Sequence, residues 1–265
     1  MISFLFTDAT PKTMTGKRLL PGVSFSMLAA GILALLPCQA RAGESKEAPA
    51  PMDPIVATIN SEPVSAGEYR LIMERKTAEA FSYMKEHYDM DDHLGYWSEK
   101  SGAKGPLAKL RELIQEELVR IKVYQGLAKD RGLLKDTSFA NFEAEFEREN
   151  ARRKTAKSAG QVVYGPKQYP RTAYYYILYG DLVFKLKQAM SKDLESKIPE
   201  VEIGKFYEEN KAAFGDKSLA DSRQRIVEVL GNKSAEKDLE AACASAKVKV
   251  EEPLLRTLVP RMDPE

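Results

Sequence analysis

"VATINSEPVSAGEYRLIMER", from Val56 to Arg75, is the stretch that decides the fold. Its first half alternates apolar and polar residues around a polar turn at 60–62, which predicts two short antiparallel strands. Pro63 in the second strand favours a sheet edge, because proline cannot donate a hydrogen bond to a neighbouring strand. Ser65 followed by Glu68 has the spacing of a capping box, so we expect a helix to begin here.

The rest of the chain is mainly helical in its periodicity. The strongest pattern begins at Pro106 and repeats apolar residues every three or four positions until Gly132. Further helices are predicted from near Asp136, from about Thr172, after Pro199 and after Ser218, the last interrupted at Gly231-Asn232. "KVKVEE" (247–252) alternates like a strand and is expected to pair with the strand at 55–59. The predicted fold is mainly α, with a small β element formed by the N-terminal hairpin and the C-terminal strand.

Tyrosine is concentrated in "VYGPKQYPRTAYYYILYG" (163–180), which holds six of the chain's twelve tyrosines. At 100° per residue, the predicted helix places Tyr175 and Tyr179 on an apolar core stripe, and Ile177 and Phe184 almost opposite. Two interpretations remain open for a helix that is apolar on two sides. It is sandwiched between neighbours, which we favour, or its second side binds a partner.

The N-terminus has the pattern of a secretory signal. Lys17 and Arg18 precede an apolar run at 23–36, and a small-x-small motif then predicts cleavage between Ala42 and Gly43. We therefore predict a signal peptide at 1–42, a flexible linker at 43–54, a helical domain at 55–253 and a tail at 254–265. A true start at Met14 would give the signal a more usual length. The predicted location is extracytoplasmic, either secreted or on the outer side of the cytoplasmic membrane.

Two alternatives would keep the protein at the membrane. The apolar run could remain as an uncleaved anchor, or Cys38 could be lipidated as in a lipoprotein. If the signal is removed, Cys243 is the only cysteine left, so no intramolecular disulfide can form. The 40 basic and 39 acidic residues of the chain nearly balance, which argues against general binding to nucleic acid.

Catalytic motifs are not recognisable in the sequence. The two histidines lie in "HYDMDDH", so His87, Asp91 and His93 are weak candidates for a metal site, but their spacing matches no defined metal motif. We find no nucleophile elbow, HExxH motif, phosphate-binding loop or dinucleotide fingerprint. We therefore expect neither a cofactor nor a metal.

Two motifs resemble those of the SurA N-terminal and PrsA-like family of extracytoplasmic chaperones. "VATINSEPVSAGEYRLIMER" is similar to the family's opening, except that Ser61 replaces the usual glycine of the turn, and "EVEIGKFYEENKAAF" (200–214) is similar to the motif that closes its helical part. The resemblance covers most of 55–253. In these relatives a parvulin prolyl-isomerase domain follows that second motif. Here only 51 residues follow Phe214, none of them histidine, so we expect the isomerase domain to be absent.

The resemblance implies a chaperone-like protein without catalysis that binds unfolded or exported polypeptides in an apolar, aromatic helical cradle. The candidate contact residues are large and apolar or aromatic. They are Trp97, Phe142, Phe146, Tyr164, Tyr169, Tyr176, Ile177 and Phe184. Two alternatives are a peptidyl-prolyl isomerase, by family, and a partner-specific factor for assembly of the cell envelope or spore. A homodimer is also compatible with the sequence.

Overall fold

The structure is a computed structural model that describes residues 53–91, 93, 95–98 and 105–260. The predicted signal peptide, its cleavage site and Cys38 lie outside the described residues. Within them the protein is mainly helical with a small antiparallel sheet, as predicted. The strands are β1 (Ile55–Ile59), β2 (Glu62–Ser65) and β3 (Val248–Val250). The helices are α1 (Ala66–Tyr88), α2 (Pro106–Asp130), α3 (Phe139–Ser158), α4 (Arg171–Glu195), α5 (Glu200–Glu209), α6 (Lys211–Phe214), α7 (Leu219–Ala244) and α8 (Glu252–Leu255).

The sheet joins the two ends of the domain, as the alternating pattern of "KVKVEE" predicted. β1 is the central strand, paired antiparallel with β2 on one side and β3 on the other. Ala57 lies opposite Val250, and Asn60 is tied to Lys247 by a backbone hydrogen bond of 2.9 Å. β2, which contains Pro63, is an edge strand and pairs only with β1. Proline is tolerated there because it has no backbone N–H to donate to a second neighbouring strand.

The turn between β1 and β2 uses the left-handed region of backbone space. Asn60 has φ 47° and Ser61 has φ 72°. Two positive φ values in a two-residue turn are those of a type I′ hairpin, in which glycine is preferred at the second position. Serine at this position is therefore strained, since its Cβ crowds the following carbonyl oxygen.

Ser61→Gly is expected to raise the free energy of unfolding by about 0.5–1 kcal/mol, because relief of the left-handed strain exceeds the entropy that glycine adds to the unfolded chain. Chemical denaturation followed by circular dichroism measures this change. Ser196→Gly is the matched control, because Ser196 has φ −71° and gains nothing from glycine. A loss of stability in both variants would contradict the assignment of strain to Ser61.

α1 begins where predicted, but its capping differs from the prediction. The Ser65 side chain accepts a hydrogen bond from the Glu68 backbone N–H, as in a capping box. The Glu68 side chain does not return to the cap, and it is buried instead. Asp53 satisfies a different donor of the first turn, since the Gly67 backbone N–H donates to its carboxylate, with both oxygens 3.0 Å from the nitrogen. Asp53, which precedes the predicted boundary at Ile55, therefore contacts the domain.

Among the residues that the structure describes, the core consists of three apolar clusters. The largest joins the sheet, α1 and α2 to the aromatic residues of α3 and α4, and it includes Leu258, which is 3% exposed. Leu258 lies in the predicted tail, so the domain extends past the expected end at Pro253. A second cluster lies between α2, α4 and α7, and a third between α5 and α7. All described core residues fall between Val56 and Leu258.

α7 is continuous, and the predicted interruption at Gly231-Asn232 is wrong. Gly231 instead allows close packing between α4 and α7: a Cβ placed on it would lie 2.7 Å from Ser191 Oγ and 3.1 Å from Ser191 O. The cap at the start of α7 is a complete capping box between Ser218 and Asp221. The glycine thus marks a helix contact rather than a break.

None of the helices in the described part of the chain combines the length and the apolar character that a membrane span requires.

Candidate functional site

An aromatic layer lies between α3 and α4. Phe142 meets the Tyr175 ring edge to face, with centroids 4.9 Å apart, and Phe139 lies 5.3 Å from Phe142. Phe146 and Tyr174 extend the layer toward the C-terminal half of α3, with centroids 6.1 Å apart. Phe139, Phe142 and Phe146 form one stripe along α3, and this stripe faces the core stripe of α4.

A cleft opens at the edge of this layer, between α3, α4 and the segment 131–138 that follows α2. Its volume is about 170 Å³. The walls are apolar and include Leu133, Leu134, Phe139, Phe142, Leu178 and Leu182. The charged part of its lining is mostly acidic, with Asp136, Glu145 and Asp181 against one cation, Lys185. The cleft is therefore an apolar depression, and the charged side chains that also line it have a net negative charge.

Glu68 and Tyr175, which also line the cleft, belong to a buried polar network. Glu68 is 1% exposed, and its Oε2 lies 2.8 Å from Nζ of Lys122, whose side chain is fully buried. The Tyr175 hydroxyl donates to Glu68 Oε1 at 2.7 Å, and Lys122 Nζ donates to the Thr137 carbonyl oxygen at 3.2 Å. Since Thr137 lies in the segment 131–138, the network ties α1, α2 and α4 to one wall of the cleft.

Burial governs the protonation of this network. It raises the pKa of Glu68 above its ordinary value, an effect that the Lys122 ammonium and the Tyr175 hydroxyl partly offset. Burial, followed by the nearby Glu68 carboxylate, raises the pKa of Tyr175 well above its ordinary value. Tyr175 therefore stays a neutral donor, and the network serves to hold the cleft together rather than to supply a reactive group.

The outer side of α4 carries exposed apolar residues next to the cleft. Phe184 is 66% exposed and Ile177 is 49% exposed. A second groove, lined by Phe184 and by polar residues of α4 and α7, shares Leu133 and Lys185 with the cleft. The favoured sandwich interpretation of this helix is therefore wrong for the described residues, which leave this side of α4 uncovered. We call the cleft, the second groove and these two exposed residues the α4 surface.

The eight candidate contact residues separate into three groups. Trp97 and Phe142 are each 8% exposed and belong to the main core, and Phe146 packs against it. These three side chains serve packing and, apart from the Phe142 wall of the cleft, offer no contact surface. Large aromatic side chains are usually buried, and these three follow that tendency.

Tyr169 and Tyr176 are held by arginines. The Arg153 guanidinium lies over the Tyr169 ring at 4.1 Å and donates to its hydroxyl at 2.8 Å, and Arg75 lies 3.7 Å from the centroid of the Tyr176 ring. Both tyrosines are half-buried by these contacts, so their main role is structural. Tyr164, which is 86% exposed, joins Ile177 and Phe184 as a candidate that remains open to a partner.

The weak metal candidates do not converge. His87 Nδ1 lies 3.0 Å from the Tyr83 carbonyl oxygen, and the Asp91 carboxylate pairs with Lys85. His93 Nδ1 lies 3.0 Å from the backbone carbonyl of Asp91. Among the described residues, no group of three or more histidine, cysteine, aspartate or glutamate side chains is placed to hold a metal ion.

Cys243 is half-buried on α7 as a free thiol. Burial raises the pKa of this thiol, which keeps it protonated and weakly reactive.

Several residues of the α4 surface were not identified from the sequence. The fold is needed to identify Leu133 and the buried pair of Glu68 and Lys122, because their contacts join α1, α2 and the segment after α2. One signal was present, because Lys122 lies four positions after Leu118 in the apolar pattern of α2, so helical phase turns it toward the core. Its partner, 54 positions away, was instead assigned to the cap.

Comparisons of the chain with protein-family models, with curated proteins and with solved structures found no match.

Proposed function

We propose that this protein binds apolar segments of unfolded or exported polypeptides along the α4 surface, as a chaperone-like protein without catalysis. The observation that carries the proposal is the exposure of Phe184 at 66% beside an apolar cleft. Large aromatic side chains are seldom left in water, and exposed apolar surface bordered by polar residues is typical of interaction sites. A groove along a helix suits an extended chain better than a compact ligand.

The charges around the cleft favour some polypeptide segments over others. Three carboxylates, of Asp136, Glu145 and Asp181, lie along it, and Asp181 is paired with Lys185 at 2.6 Å. A hydrogen bond from the Ser138 backbone lowers the pKa of Asp136, which keeps this carboxylate ionised. We expect apolar segments flanked by lysine or arginine to bind more tightly than those flanked by acidic residues.

We further propose that the protein acts outside the cytoplasm. The support for this is the basic, apolar and small-x-small order of residues 17–42 in the sequence.

The test is suppression of aggregation of several unrelated unfolded proteins by the chain from Gly43 onward, which contains the whole described core. Near-stoichiometric protein is expected to suppress aggregation. The double variant Ile177→Ser, Phe184→Ser is expected to bind a client about tenfold more weakly, because each side chain loses apolar contact. Val201→Ser is the control, since Val201 is 78% exposed on α5, away from the α4 surface.

The outcomes separate this function from the alternatives. If no client is protected but one protein co-purifies tightly, the chain is a partner-specific assembly factor. Proline isomerisation above background in a protease-free assay would establish the isomerase instead. Equal client binding by the double variant and by Val201→Ser would remove the α4 surface from the proposal.

A further inference from the structure

A second surface lies at the other end of α3, in the segment 151–171 that runs from the last turns of α3 to the start of α4. This segment contains six basic side chains and no acidic one. They are Arg152, Arg153, Lys154, Lys157, Lys167 and Arg171. We call it the basic segment. Its two α3 lysines, Lys154 and Lys157, lie about 14–27 Å along the helix from the α3 residues that line the cleft, given the rise of 1.5 Å per residue, so both surfaces can be occupied together.

The backbone of the basic segment is fixed by one buried and one half-buried side chain. Arg153 is 6% exposed and donates to the carbonyl oxygens of Tyr164 and Pro166 at 2.9 and 2.8 Å. Asn150 forms hydrogen bonds with both the carbonyl and the N–H of Tyr169, at 3.1 and 2.8 Å. The connection between α3 and α4 is therefore a rigid structure, although it contains neither helix nor strand.

This rigid backbone presents two apolar side chains to solvent. Val162 is 79% exposed and Tyr164 is 86% exposed. The carbonyl of Tyr164 is held by Arg153, so its ring projects from a fixed point. Side chains so fully exposed protrude from the surface and cannot line a cavity.

Three lysines of the same segment have no ion-pair partner among the described residues. Lys154, Lys157 and Lys167 are all exposed, whereas Arg152 and Arg153 pair with Glu149, and Arg171 pairs with Glu143. Lys157 and Lys167 also lie close enough to repel, and contact with Lys167 lowers the pKa of Lys157. An anion between the two ammonium groups would relieve this repulsion.

We propose that the basic segment docks the protein on a membrane surface that contains anionic lipid. Lys154, Lys157 and Lys167 contact headgroup phosphates, and Val162 and Tyr164 enter the interfacial region. Tyrosine suits this position because its ring is apolar and its hydroxyl stays hydrated. Because the backbone is already ordered, docking loses little conformational entropy.

The exposed apolar side chains favour a membrane over an acidic polypeptide. An acidic chain would satisfy the lysines but would leave a valine and a tyrosine that protrude without an apolar counterpart. A bilayer surface supplies both components, since a layer of phosphate lies directly over apolar chains. Docking by this surface leaves the α4 surface free, so a membrane-bound protein could still hold a polypeptide.

The experiment measures co-sedimentation with vesicles of phosphatidylglycerol and phosphatidylcholine in equal parts, and with vesicles of phosphatidylcholine alone. Both the full chain and the chain from Gly43 are measured. Variants are compared only with others of the same length, because the apolar run at 23–36 adds equal lipid affinity to every full-chain variant. The triple variant Lys154→Gln, Lys157→Gln, Lys167→Gln is expected to bind anionic vesicles about 100-fold more weakly, at about fivefold per lysine. Val162→Ser, Tyr164→Ser should weaken binding by about tenfold.

Lys217→Gln, Lys233→Gln, Lys237→Gln is the matched control, because these exposed lysines lie at or on α7 and their loss changes the net charge equally. Thermal unfolding checks that every variant is folded. Equal vesicle binding by the two triple variants would overturn the proposal. Binding of wild-type protein to polyglutamate but not to anionic vesicles would also overturn it and would assign the segment to acidic polypeptides.

Discussion

Lys122→Met is expected to lower the free energy of unfolding by about 3–5 kcal/mol, the usual effect of removing one partner from a buried ion pair. Methionine fills similar space, so the loss reflects charge rather than a cavity. The variant leaves the Glu68 carboxylate 1% exposed without its cation, and it removes the hydrogen bond to the Thr137 carbonyl. Chemical denaturation at neutral pH measures the change.

The double variant Glu68→Gln, Lys122→Met is the control for this interpretation. The amide oxygen can still accept the hydrogen bond from the Tyr175 hydroxyl, and no charge remains buried. It should recover more than half of the stability lost by Lys122→Met alone. If both variants are equally unstable, packing rather than charge explains the loss.

The pKa of Glu68 determines how the stability of Lys122→Met changes with pH. Burial already raises the folded-state pKa of Glu68, and removal of Lys122 raises it further. The folded state then binds more protons than the unfolded state, so stability increases as the pH falls through the folded-state pKa and is lost as the pH rises through it. Lys122→Met should therefore be closest to wild type under mildly acidic conditions.

Gly231→Val is expected to lower the free energy of unfolding by about 2–3 kcal/mol, in the range measured for overpacked cores. Its Cβ would overlap Ser191 Oγ, and the Ser191 carbonyl oxygen leaves little room for adjustment. Relief requires α4 and α7 to move apart, which loosens the second core cluster between them. Urea denaturation, with the midpoint and slope both recorded, measures the effect.

Gly180→Ala is the control for Gly231→Val. Gly180 is exposed within α4, and a Cβ on it would meet nothing within 4 Å. Alanine there should stabilise the protein by about 0.5–1 kcal/mol through helix propensity. If Gly231→Ala stabilised the protein as much as Gly180→Ala does, the close approach of the two helices would be contradicted.

Local patterns predicted most of the fold. The alternation of β1 and β3, the periodicity of α2 and the Ser65 and Ser218 caps each depend on residues that are near in sequence. Such signals predict where an element begins and which side is apolar. The pairing of β1 with β3 was also predicted, because a strand pattern after the N-terminal hairpin in an otherwise helical chain has few other partners.

The α4 surface was predicted less well, because contacts between distant residues decide it. Ile177 and Phe184 were placed correctly opposite the core stripe, but helical phase does not tell whether a neighbour covers that side. Tyr169 was proposed for contact, yet Arg153 and Asn150, nearly 20 positions earlier, hold it in place. Gly231 was predicted to interrupt α7 because glycine has a low helix propensity. Its role is instead to leave room for α4, which packs where a side chain on Gly231 would lie.

The central position of β1 has a consequence during synthesis. β1 emerges from the ribosome early, but the strand that completes the sheet is about 190 residues farther along, as the hydrogen bond from Lys247 to Asn60 across 187 positions shows. Until β3 arrives, a nascent or truncated chain presents β1 as an unpaired edge, a template for pairing with other chains. Truncated chains that end before Val248 keep most of the helices but lack β3. They should therefore aggregate more readily than the full chain.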